Sequence, residues 1–84
     1  MTIDRPTIGY DAECRLCRRI AGRIGPTLRR HGFAVRPLQD AELADALGLT
    51  AGMLPDEFQF LRPGRRPLGG APAIAAIAAL LGLQ

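Results

Sequence analysis

Tryptophan is absent from this chain of 84 residues, which holds only one tyrosine and three phenylalanines. A packed interior must therefore be built mainly from aliphatic side chains. Lysine is also absent, so all eleven basic residues are arginine. The formal net charge is only +3, and a high pI on that balance does not by itself point to nucleic acid. Closed zinc sites take four nitrogen or sulfur ligands. Two cysteines and the distant His31 do not supply them within one chain, so no metal and no cofactor are expected. A shared metal would need two molecules pooling their cysteines.

Long apolar runs are missing too. The stretch Pro67–Gln84 carries no charge, but it includes glycines and prolines. Its helix-forming part is roughly a dozen residues, whereas a bilayer span needs about 20. No membrane segment is expected. Met1–Pro6 holds an acid and a proline where an export leader would need an apolar run. The expected compartment is therefore the cytosol, where a cysteine pair is more often catalytic or metal-binding than structural. Nearly half the residues are apolar and nothing reads as low complexity, so residues 1–84 form one small domain.

What is present centres on Tyr10-Asp11-Ala12-Glu13-Cys14-Arg15-Leu16-Cys17. An apolar β-like run gives way here to a helical pattern. Residues three apart lie on one helix face, close enough for a disulfide with little backbone movement. A helix N-terminus favours thiolate over thiol. The pair therefore reads as a redox dithiol, with Cys14 attacking and Cys17 resolving. The competing readings are two small buried hydrophobes, or ligands to a metal shared between two molecules. Asp11 fits either a proton relay during resolution or a helix cap. Arg15, between the cysteines, and Arg18 should lower the Cys14 pKa and attract an anionic thiol such as glutathione, or an acidic protein surface.

The chain predicts a strand at Thr7–Tyr10 and a helix from Cys14, with Leu16, Ile20, Ile24 and Leu28, and Cys17 and Ala21 beside them, as its core stripe. Gly25-Pro26 should kink or restart that helix, and Gly32 should close it. A second strand follows at Phe33–Leu38, and Pro37 places it on a sheet edge or near its end. Asp40 should cap a short helix, Ala41–Leu47, closed by Gly48. A loop follows at Leu49–Pro55. A hairpin is expected from Phe58–Arg62 and Arg66–Leu68 around Pro63-Gly64. The last helix should begin with Pro72 in its first turn and bury Ile74, Ile77 and Leu81. The arginines of the first helix have no aromatic platform beside them, so a solvated face is expected and not a nucleic-acid surface.

The order β-α-β-α-β-β-α describes an α/β domain, a minimal thioredoxin-like fold with a mixed four-stranded sheet and packing helices. The residues carrying it resemble the DCC family of predicted thiol–disulfide oxidoreductases. Asp11, Cys14 and Cys17 match the family's naming residues in Tyr-Asp-x-x-Cys-x-x-Cys-Arg-Arg. Phe33–Gln39 resembles its strand ending in Pro-Leu-Gln, Phe58–Gly64 its hairpin, and Leu68–Ile74 the opening of its last helix. The chain departs from the family at Ala12, where glycine is usual, and at Gly25-Pro26.

The resemblance implies disulfide exchange with a protein or small-molecule thiol or disulfide. In thioredoxin-like proteins a cis-proline before the third strand faces the cysteines and holds substrate; Pro55 is the candidate for that element, an ordinary trans proline being the alternative. An alternative is a non-catalytic binding module that docks, or forms a homodimer, through the apolar last helix.

Overall fold

The computed structural model describes residues 3–48 and 58–82. Four strands, β1 (Thr7–Tyr10), β2 (Ala34–Pro37), β3 (Gln59–Leu61) and β4 (Leu68–Gly69), form one sheet in the order β2-β1-β3-β4. Three helices, α1 (Arg15–Arg30), α2 (Ala41–Leu47) and α3 (Gly70–Leu81), complete the β-α-β-α-β-β-α order. β1 and β2 are parallel, while β1–β3 and β3–β4 are antiparallel. This is the mixed four-stranded α/β arrangement expected from the chain. Pro37 indeed lies in an edge strand, where a missing N–H interrupts no interior ladder.

Successive strand residues face opposite sides of the sheet. On one side Ile8 and Phe60 pack with Leu28 of α1, Ala73 of α3 and Phe33, whose ring stacks on Phe60 at a centroid distance of 5.8 Å. On the other, Gly9 lies under the fully buried Leu38 and Leu43. Arg36 of β2 donates to the carboxylates of Asp40 at 2.7 Å and Glu42 at 2.6 Å, fastening the edge strand to the start of α2. Asp40 also caps that helix by accepting from the Glu42 N–H, and Gly48 closes it with φ +70°.

α1 differs from expectation in two ways. It runs unbroken through Gly25-Pro26. A proline ordinarily disfavours the helical region for the preceding residue by clashing with its backbone N–H and Cβ, and Gly25 lacks the second of these. Pro26 is itself exposed. The helix then closes with the Phe33 N–H on Leu28 O and the Gly32 N–H on Arg29 O, Gly32 taking φ +85°.

The second difference is rotational. Leu16, Ile20 and Ile24 are 63%, 47% and 46% exposed, and of the expected stripe only Leu28 is buried. The helix rests on the Cys17 and Ala21 side of that stripe, together with Gly25 and Leu28. Small side chains at three of those four positions let its backbone approach the sheet, which turns the larger aliphatics onto a flank.

In α3 the buried residue is Ala73, with Ile77 and Leu81 packed beside it, while Ile74 is exposed. β4 begins at Leu68, later than the expected Arg66.

Two glycines test this packing in opposite directions. A Cβ on Gly9 would lie 2.7 Å from Leu38 Cδ2 and 3.3 Å from Leu43 Cδ1, so these two fully buried leucines would have to shift. Gly9→Ala should destabilise the fold by about 1–3 kcal/mol in a urea titration. Gly22, exposed on α1 with nothing near its Cβ position, should gain about 0.5–1 kcal/mol on substitution by alanine.

Candidate functional site

The parallel pairing of β1 with β2 ends at Tyr10 opposite Pro37, and the Leu38 N–H then donates to Tyr10 O at 2.7 Å. The two strand ends therefore leave the sheet side by side, and Gln39 comes to lie against the loop that leads to α1. Its side-chain oxygen accepts from the Ala12 N–H at 3.0 Å, and its side-chain nitrogen donates to Asp11 Oδ1 at 2.8 Å. The same carboxylate oxygen accepts from the Glu13 N–H at 2.9 Å. The Asp11 carbonyl accepts from the Cys14 N–H at 3.1 Å, and the Ala12 carbonyl accepts from the Arg18 guanidinium at 3.1 Å. Ala12 needs no positive φ to make this turn.

Cys14 is the N-cap of α1, with extended backbone angles φ −87° and ψ 116°. Its sulfur accepts the Cys17 N–H at 3.2 Å, a role ordinarily taken by a serine, threonine or aspartate oxygen. Asp11 is thus not the cap of the helix. It organises the preceding turn. Both cysteines are reduced and half-buried. Arg15 is exposed.

The electrostatics separate the two sulfurs. A hydrogen bond from the Cys17 thiol, then the Cys17 N–H, hold the Cys14 thiol below its ordinary pKa, against opposing contributions from burial and the Asp11 charge. The same thiol–thiol bond, together with burial and the charges of Cys14 and Asp11, pushes Cys17 up. The depression at Cys14 thus comes from Cys17 and the helix start, and not from the neighbouring arginines. The Glu13 N–H and then the Gln39 amide hold the Asp11 carboxyl below its ordinary value.

The structure brings Asp11, Cys14 and Cys17 together, with Arg15 beside them. Pro55 lies outside the described residues. Gln39 is the participant that pattern reading passed over. Its signal was the parallel register itself, which sets the residue after Leu38 beside the cysteine loop. Among the described residues no group of three or more His, Cys, Asp or Glu side chains is placed to hold a metal ion. No helix there is long and apolar enough to cross a membrane. Cavities of about 330 and 250 Å³ are lined by residues such as Thr7, Arg36 and Glu42, and Ala46, Leu61 and Arg62, and the cysteines line neither. Comparison with known protein families, with curated proteins and with solved structures returns no match.

Two titrations follow from this geometry. Alkylation by iodoacetamide across pH, read by mass, should label Cys14 first, with a midpoint below that of an ordinary thiol, and Cys17 only at higher pH. Folding lowers the Asp11 pKa, so the stability it adds is present above the unfolded-state value and lost as pH falls through the folded one. Gln39→Ala should move the Asp11 carboxyl, followed by NMR, back toward its ordinary value and narrow that acid-sensitive window.

Proposed function

We propose that the protein is a thiol–disulfide oxidoreductase working through Cys14 and Cys17. The observation that carries this reading is the Cys14 sulfur placed as the cap of α1, where it accepts the N–H of Cys17 at 3.2 Å. An inert pair of small hydrophobes would not need that contact. In the forward direction the Cys14 thiolate attacks one sulfur of a partner disulfide. The partner S–S bond breaks, its second sulfur leaves as a thiolate and takes a proton, and a mixed disulfide forms. Cys17 then loses its proton and attacks Cys14 Sγ. The mixed disulfide breaks, the partner's remaining sulfur leaves as a thiolate and is protonated, and Cys14–Cys17 is the product. Two electrons pass from the dithiol to the partner, and the reverse sequence oxidises a partner dithiol.

The high pKa of Cys17 keeps it from competing for the first attack. Once Cys14 is bound in the mixed disulfide, the thiol no longer has a thiolate acceptor or its negative charge nearby, so two causes of that elevation vanish. Asp11, held below its ordinary pKa, is a weak base. Its contribution in this reading is to hold the turn, and the Cys17 proton leaves to water. Membership of the DCC family, carried by Asp11, Cys14 and Cys17, belongs to the same proposal, as does a cytosolic setting in which the dithiol is kept reduced.

The two cysteines should behave differently on mutation. Cys14→Ser should abolish exchange with a small disulfide such as bis(2-hydroxyethyl) disulfide, while Cys17→Ser should accumulate the mixed disulfide, visible by mass. Undiminished exchange in Cys14→Ser would refute the assignment. Asp11→Asn should lower the Cys14 pKa further, because it removes a nearby negative charge. It should leave the second step of exchange at a rate within about threefold of the parent, a change worth less than 1 kcal/mol. A much slower second step would identify Asp11 as a proton relay instead.

A further inference from the structure

The flank of α1 beside the cysteines carries a feature that disulfide exchange alone does not use. Leu16, Ile20 and Ile24 are each about half exposed. At 100° per residue they fall within about 80° of one another and form one continuous apolar stripe. The adjoining sector carries Arg15, Arg19 and Arg23, all exposed, and α1 contains no acidic residue. None of those three guanidiniums has a hydrogen-bond or ion-pair partner among the described residues. The exposed face of α3, where Ala71, Ala75 and Ala79 lie between Ile74 and Leu80, is also apolar but carries no charge to select a partner.

We propose that this flank of α1 docks an acidic amphipathic segment of the protein whose disulfide Cys14 attacks. The inference rests on the exchange reading above and names its substrate class: a disulfide within or beside a segment carrying aliphatic and carboxylate side chains. Aliphatic groups of the partner cover Leu16, Ile20 and Ile24, and its carboxylates meet Arg15, Arg19 and Arg23. Charge complementarity selects this occupant. A second copy of the chain packed symmetrically on the same flank would set arginine against arginine. A nucleic acid would leave the aliphatic stripe uncovered. A lipid surface is disfavoured because the stripe has no aromatic residue and its three side chains are only half exposed, which leaves little to insert.

The test uses three otherwise matched peptides, each with one cysteine blocked as its mercaptoethanol disulfide. Their flanking residues are glutamate with leucine, lysine with leucine, and glutamate with serine. Rates are normalised to bis(2-hydroxyethyl) disulfide. At low salt the glutamate–leucine peptide should react roughly tenfold faster than either of the others, with the advantage shrinking as salt rises. Arg19→Glu should remove its advantage over the lysine peptide, and Ile20→Ser its advantage over the serine peptide.

Equal rates for all three peptides would overturn docking while leaving exchange intact. No reaction with bis(2-hydroxyethyl) disulfide would instead overturn exchange. Docking would then be decided by fluorescence anisotropy with a cysteine-free glutamate–leucine peptide, where binding that Arg19→Glu abolishes supports it and no binding overturns it. Binding to phosphatidylserine vesicles without any preference among the peptides would also overturn it, in favour of a membrane surface.

Discussion

The hydrogen bond from the Leu38 N–H to Tyr10 O carries the parallel β1–β2 pairing one step beyond the sheet. Everything at the cysteines depends on that step. It brings Gln39 against Asp11 and Ala12, where one amide satisfies an N–H and a carboxylate at once. The turn so fixed delivers Cys14 in extended conformation to the N-cap of α1, with its sulfur turned toward the N–H of Cys17. The site is therefore built by two loops from different parts of the chain, each following a strand of the same parallel pair. Register, set by burial of Ile8 and Phe60 on one side and of Leu38 and Leu43 on the other, is what holds them together.

The cysteine pair is asymmetric because of the helix. A sulfur at the cap receives donors, and a sulfur one turn later supplies one of them and is more enclosed by protein. Their pKa values move in opposite directions from one shared contact. This division of labour requires no arginine, although arginines surround the site. Those side chains are left exposed by the way α1 packs. Because Cys17, Ala21 and Gly25 are small, the helix settles closely on the sheet through that face. The bulky Leu16, Ile20 and Ile24 are carried round to the flank, next to an unpaired cationic sector.

Much of this architecture was legible in the residues. Asp40 and Gly48 marked the ends of α2, Pro37 marked an edge strand, and the Cys-x-x-Cys spacing at a strand-to-helix junction marked the site. The failures have specific causes. The four-residue recurrence of Leu16, Ile20, Ile24 and Leu28 is a sound amphipathic signal, but periodicity reports apolarity and not how closely a backbone can approach. The parallel recurrence of small residues at 17, 21 and 25 won that competition. Gly25-Pro26 looked like a break because a proline inside a helix removes a hydrogen bond and clashes with the preceding turn, a cost that α1 accepts while Gly25 spares it a further clash at its missing Cβ. Gln39 was invisible as a site residue because its role follows from pairing between segments far apart in sequence, which no local pattern encodes.

The central claim is that Cys14 and Cys17 interconvert between dithiol and disulfide under accessible conditions. The most direct test is equilibration in glutathione buffers of graded ratio, followed by acid quenching, thiol trapping and mass measurement of the intact protein. A single reversible transition of an intramolecular Cys14–Cys17 disulfide, between about −120 and −270 mV, is the expected result. If no intramolecular disulfide forms at any poise, with both thiols remaining trappable throughout, the account of this site is contradicted.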